Sequence, residues 1–285
     1  MKKQLLLLFS GWITVTVGLF LAVLVGRFSK EQFSISGDSQ LIVQAVVMSG
    51  IVVPITLYLY QKLFKITGVP KTTVYSLKRV QHVITGMFLA IVLALIGILI
   101  ADIFGWIKIQ EWYSPEYWGS ALLLNAIIAF FYEALPEELV LRGFVFDVLL
   151  HRINAWLTVI IQTLVFLAFS IGVSTLQVII GIAPIESIFN IPHLVLLFFF
   201  GLALAFIRLW TGSLWASIGF HLAYLELARF LIMPLEYGVP PIMIFQDTIM
   251  RGVGASFIIT VMILGANFAL LLLIIIKNLR GKYRT

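Results

Sequence analysis

The chain has 285 residues, of which 61% are apolar and only 11% charged, with a mean hydropathy of +1.09. Soluble domains carry roughly 25% charged residues, so a soluble enzyme or binding module is excluded. The composition points to an all-α polytopic membrane protein, a bundle of about eight transmembrane helices forming a single integral membrane domain over residues 1–285. The 19 basic residues exceed the 13 acidic ones, but in so apolar a chain their placement reads as topology and not as a nucleic-acid surface. Cysteine is absent, which removes disulfides, thiolate nucleophiles and Cys-ligated metals.

The first apolar run, Gln4 to Val25, follows Lys2 and Lys3. It is longer than a signal-peptide core and lacks a small-residue cleavage site, so it reads as a retained span. A mixed-charge loop, RFSKEQFSISGDSQ, leads to a second span, Leu41 to Tyr60. The segment from Gln61 to His82 carries Lys62, Lys65, Lys71, Lys78 and Arg79 and no acid, the mark of a cytoplasmic loop lying on anionic lipid. Span three is Val83 to Phe104, and the loop after it, with Trp106, Trp112, Tyr113, Tyr117 and Trp118, reads as an outer aromatic belt.

Span four opens near Gly119. Were it to stop at Phe131, it would cover only about 20 Å of a roughly 30 Å core. The helix is therefore expected to continue through an acidic cluster, kinked at Pro136, to the neighbourhood of His151, Arg152 and Asn154. Span five is Trp156 to Val173, and an apolar outer segment with Pro184, Glu186 and Asn190 precedes span six, Ile191 to Leu209. Arg208 and the turn Thr211, Gly212, Ser213 lead into span seven, Leu214 to Met233, and the last span is Ala255 to Ile276. On this plan one side holds Lys2, Lys3, the basic loop, Arg142, Arg152, Arg208, Lys277, Arg280, Lys282 and Arg284, against Arg27, Lys30, Lys108 and Arg251 on the other. Such an imbalance predicts a cell-membrane protein with both termini cytoplasmic.

The stretch FYEALPEELVLRGFVFD, Phe131 to Asp147, carries the chemistry. Carboxylates at membrane depth are costly and by default functional. On a helix Glu138 and Arg142 are four apart and can pair, whereas Glu137, turned by about 100°, is left without that cation. His193 and His221 also lie in apolar spans. A carboxylate and an imidazole in a wet intramembrane pocket can activate water, with a second imidazole polarising the carbonyl under attack; the plainer role is hydrogen bonding between helices. Glu226 and Arg229, three apart, are expected to form an internal ion pair, and His82 and His151 to be interfacial. No HExxH motif is present, and neither a metal nor another cofactor is expected.

Glu137, Glu138 and Arg142 form EExxxR followed by Gly143 and Phe144, and RLWTGSLWASIGFH, Arg208 to His221, ends in a histidine after a TGSLW turn. Together these resemble the CPBP family: type II CAAX prenyl endopeptidases, bacteriocin-processing and immunity proteins, and lysostaphin-resistance-protein-like membrane proteins. The resemblance covers roughly 119–230, a CPBP-like core. It implies an eight-helix intramembrane glutamate protease cutting near the cytoplasmic face. Glu137 would be the base that activates water, Glu138 and Arg142 would support it, and His221 would help stabilise the oxyanion.

Two positions depart from the family pattern. Where the family has the histidine of an FxxxH element, this chain has FLAFS, ending in Ser170. A literal FxxxH occurs later, FNIPH, ending in His193, so either His193 supplies the imidazole or that histidine is missing. Four residues after His221, where the family tends to have Asn or Asp, stands Leu225, which cannot hydrogen-bond. The expected partners are the lipid bilayer and a membrane-associated peptide or protein substrate, with no nucleic acid. A catalytically silent scaffold or regulator bound to another membrane protein is the alternative. A proton- or ion-coupled transporter is disfavoured, because the chain lacks paired Gly/Pro-broken helices in two related halves.

Overall fold

The computed structural model describes residues 2–67 and 79–282. Its long helices are α1 (Lys2–Phe33), α2 (Gly37–Thr67), α3 (His82–Ile103), α4 (Pro115–Leu150), α5 (Ala155–Ile179), α6 (Ile191–Thr211), α7 (Leu214–Leu227) and α8 (Val253–Lys282). Among the described residues seven helices are long and apolar enough to cross a membrane, and the chain is an all-α polytopic membrane protein. The predicted span Leu214–Met233 is the exception by length: α7 stops at Leu227 and continues as a π-helical turn over Ala228–Ile232. With that turn it reaches roughly 28 Å.

Helices overrun the hydropathy limits where the flanking residues are good helix formers. The loop expected over residues 27–40 shrinks to Ser34–Ser36, because Arg, Lys, Glu and Gln outside the bilayer sustain a helix well. Ser36 then caps α2, its Oγ accepting the Ser39 amide at 3.2 Å. The basic loop is likewise shortened: Lys62 and Lys65 lie on α2, and Lys71 and Lys78 fall outside the described residues.

The aromatic loop after α3 contains a strand. β1 (Ile107–Trp112) pairs antiparallel with β2 (Met243–Asp247), Ile107 opposite Asp247 and Trp112 opposite Met243, with an irregularity between Ile109 and Glu111. Asp247 ties this ribbon to α8 by accepting the amides of Gly252 at 2.6 Å and Gly254 at 2.7 Å.

Two helix contacts fix the bundle around the acidic stretch. α3 and α7 pack backbone to backbone: a methyl on Gly86 would overlap the Ala216 carbonyl and the Phe220 amide, and one on Gly219 the backbone of Val83. Small residues at such crossings let helices approach closely where no hydrophobic effect drives association. Gly201 of α6 does the same beside the Phe166 ring and the Arg142 guanidinium. The TGS turn between α6 and α7 closes through Gly212 at φ +64°, whose carbonyl accepts from Arg79 Nη1 at 3.2 Å.

α4 does not simply kink at Pro136. It contains two π-helical segments, Phe130–Ala134 and Leu139–Val145, on either side of an α-helical turn, Leu135–Glu138. Pro136 has no amide to give and its ring would crowd the carbonyl four residues back; the wide turn before it relieves that clash. The loosened carbonyls find partners elsewhere. Leu135 N–H bonds to Phe130, and the Phe131 carbonyl accepts from Ser49 Oγ of α2. Phe146 N–H bonds to Leu141 and Gly143, and the Arg142 carbonyl accepts from Arg208 Nε at 3.1 Å. In the third π turn, after α7, the Phe230 carbonyl accepts from Ile242 N–H at 2.8 Å, since Pro234 has no N–H to offer.

Candidate active site

The α-helical turn between the two π segments of α4 presents Glu137 and Glu138 in different directions. Glu138 is fully buried and faces two cationic or polar partners: Arg142 Nη1 at 3.0 Å and His221 Nδ1 of α7 at 3.0 Å, both on its Oε1. Arg142 is also fully buried. Its guanidinium carbon stands 4.2 Å from the Phe166 ring centroid, and Nη2 points at the Gly201 carbonyl at 3.5 Å. His221 is held edge-on against Phe200, ring centroids 5.1 Å apart. The i,i+4 pairing expected of Glu138 and Arg142 is therefore present.

Glu137 has no such clamp. Among the described residues it makes no hydrogen bond or ion pair, and it opens on a cavity of about 390 Å³. The same cavity is lined by His221, His193, Ser170, Tyr224, Glu133 and Arg229, with Phe166, Phe169, Phe200 and Leu225 as apolar wall. Of the five predicted site residues, Glu137, His193 and His221 line one cavity, and Glu138 contacts both Arg142 and His221.

The two candidates for the second family histidine occupy different levels. Ser170 is half-buried, one helical turn beyond Phe166, which itself covers Arg142. His193 is in the first turn of α6, exposed at the cavity rim, with its amide on Asn190 Oδ1 at 3.2 Å. It lies about 12 Å along the helix from Gly201, beside which Arg142 sits. Both line the cavity of Glu137, Ser170 as a half-buried and His193 as an exposed side chain. Leu225 lines the cavity where the family pattern has an amide or acid.

One expected pair does not form. Arg229 reaches across to α4, with Nη2 2.6 Å from Glu133 Oε1 and Nη1 3.0 Å from Asn125 Oδ1. Both carboxylate oxygens of Glu226 are buried and without a hydrogen-bond partner among the described residues. The π turn that starts at Ala228 breaks the regular three-residue spacing and carries Arg229 toward α4. His82 is half-buried and His151 exposed, its Nδ1 2.7 Å from the Asp147 carbonyl; neither lines the cavity. No cluster of three or more His, Asp or Glu suited to a metal ion occurs among the described residues.

Several contacts lay beyond sequence reasoning: the Phe166 ring on Arg142, the Gly201 carbonyl, the Glu133–Arg229 bridge, and the Arg208–Asp147 ion pair at 3.1 Å. Phe166 and Gly201 could have been flagged by their places in FLAFS and GLALAF; the two bridges join distant helices and leave no local signature.

Residues 119–224 match the family model described as type II CAAX prenyl endopeptidase Rce1-like. Over this segment the chain is similar to that family. It contains EExxxR, FLAFS and the TGSLW turn with His221, and it is consistent with the CPBP family. The matched segment runs from the first turns of α4 to near the end of α7, and the match supports a CAAX-type intramembrane protease-like role. No curated protein and no solved structure matches the chain.

Proposed function

We propose that the protein is an intramembrane endopeptidase that hydrolyses a peptide bond of a membrane-associated peptide or protein, with Glu137 activating the water. The observation that carries this reading is the division of labour between neighbouring acids: Glu138 is committed to Arg142 and His221, while Glu137 is unpaired and faces a cavity it shares with an imidazole. A carboxylate that is not neutralised by a fixed cation can take a proton from water. An ionised Glu138 only accepts hydrogen bonds, so it takes the Nδ1 proton of His221. Glu137 later returns the proton taken from water to the leaving amine, and His221, in the same cavity, is the polar group placed for the developing oxyanion. His193 at the rim is the second imidazole within reach of a peptide entering from that side. The bundle sits in the cell membrane with both termini cytoplasmic, as its basic residues favour.

The test compares host-cell membranes carrying the wild type with those carrying Glu137→Gln. Wild type should produce new N-termini in membrane proteins by terminal-peptide mass spectrometry, and the variant should not. The same set of termini in both would rule out Glu137 as the base.

A second reading, a silent membrane scaffold or regulator, is favoured by one observation: Ser170 and Leu225 line the cavity where the resembled family carries a histidine and an amide or acid. It predicts that a co-purifying membrane partner and its output survive Glu137→Gln.

A further inference from the structure

The second π segment of α4 is held open by a side chain from another span, and that side chain belongs to none of the groups assigned above. Arg208, near the end of α6, is 8% exposed. It divides its guanidinium between two acceptors, Nε to the Arg142 carbonyl at 3.1 Å and Nη2 to Asp147 Oδ1 at 3.1 Å. Asp147 is in turn steadied by Tyr60 of α2, whose hydroxyl lies 3.3 Å from Oδ2.

We propose that Arg208 is a positioning residue for the candidate active site: by occupying the Arg142 carbonyl it keeps the π turn open and so fixes the direction in which Arg142, Glu138 and His221 are joined. The proposal rests on the functional reading above only for its catalytic consequence; the geometry stands apart from it. In a regular α-helix the Phe146 amide would close on the Arg142 carbonyl. Here that amide bonds to Leu141 and Gly143 instead, and Arg208 takes the carbonyl. A π turn holds one residue more than an α turn, and its closure would rotate the helix on one side by about 100° relative to the other. Arg142 lies inside this turn and supplies the 3.0 Å bond that aligns Glu138, whose other contact on the same oxygen is His221. The chain of command runs from Arg208 through the Arg142 backbone and guanidinium to Glu138 and then to the His221 ring.

The experiment reads the His221 ring directly, using full-length protein in nanodiscs with ¹⁵N-labelled histidine. Only four histidines are present, and His221 is assigned by its loss in His221→Gln. Arg208→Lys keeps the charge near Asp147, but its single ammonium group replaces the fork that serves both acceptors. It should shift the His221 Nδ1 resonance while leaving that of His193 in place, and should lower the rate of Glu137-dependent cleavage at least tenfold with little change in KM. Asp147→Asn removes the ion pair and leaves the Nε bond, so the His221 resonance should stay within its wild-type position. Arg208→Lys with an unmoved His221 signal overturns the proposal, as does Asp147→Asn that moves it as far as Arg208→Lys does. If His221 responds as expected but no Glu137-dependent cleavage exists, the positioning stands and the protease reading fails.

Discussion

Glu138 should be the acid whose loss the protein feels most. Its removal leaves the Arg142 guanidinium fully buried without its carboxylate. Breaking one partner of such a pair costs about 3–5 kcal/mol, whereas replacing both by apolar groups can be close to neutral. Glu138→Met is therefore expected to lower the thermal midpoint in detergent markedly, and the double variant Glu138→Met/Arg142→Met to recover much of the loss. A double variant less stable than either single one would contradict this account of the pair. The Glu133–Arg229 bridge makes the contrast, since its side chains are 22% and 16% exposed. Arg229→Gln should cost less than Glu138→Met, measured the same way, because this pair is partly exposed in the cavity and the Glu138–Arg142 pair is not.

The difference between these two pairs also explains what could be read at this scale. The Glu138–Arg142 contact depends on spacing within one helix, which sequence displays. Arg229 pairs with Glu133, 96 residues earlier, only because a π turn re-aims it. Glu226 is left without a hydrogen-bond partner among the described residues for the same reason. That Ser170 and His193 line one cavity was equally hidden, because it depends on how α5 and α6 pack and not on either segment alone.

Among the elements, α4 departs furthest from expectation. Pro136 announced an irregularity, but whether a proline kinks a helix or is absorbed by a wide turn depends on neighbours that satisfy the displaced carbonyls. Here these are Ser49 and Arg208, from α2 and α6. The α3–α7 crossing was similarly silent in the sequence, since Gly86 and Gly219 look like any glycine in an apolar helix. Gly219→Ala should be strongly destabilising, beyond the about 1–3 kcal/mol of ordinary overpacking, because the added methyl meets backbone that cannot step aside. Gly50 is the control: it sits in α2 where an added methyl would enter open space, so Gly50→Ala should be stabilising by about 0.5–1 kcal/mol through helix propensity. Equal thermal midpoints for the two variants would mean that the crossing is looser than described.

For the molecule as a whole, hydropathy located the long helices well because a bilayer demands about 20 apolar residues per crossing, whatever the fold. It said nothing of the β1–β2 ribbon, whose strands are six and five residues long and lie far apart in the chain. The alternation of Ile107 and Ile109 with Lys108 and Gln110 is compatible with a strand, but only its partner makes it one. The proposed orientation has its own test: green fluorescent protein fused after Thr285 should fluoresce and alkaline phosphatase at the same place should be inactive. The opposite pattern would reverse the assignment of sides.

Everything in the functional account depends on water reaching Glu137 and being delivered to a peptide carbonyl there. The most direct measurement incubates purified protein in proteoliposomes with host membrane proteins in ¹⁸O-labelled water and follows the new C-terminal carboxylates by mass spectrometry. The account predicts ¹⁸O-labelled termini with wild-type protein and their loss with Glu137→Gln, while Gly50→Ala, remote from the cavity, retains them. Labelled termini that persist in Glu137→Gln, or none above background with the wild type, would contradict it.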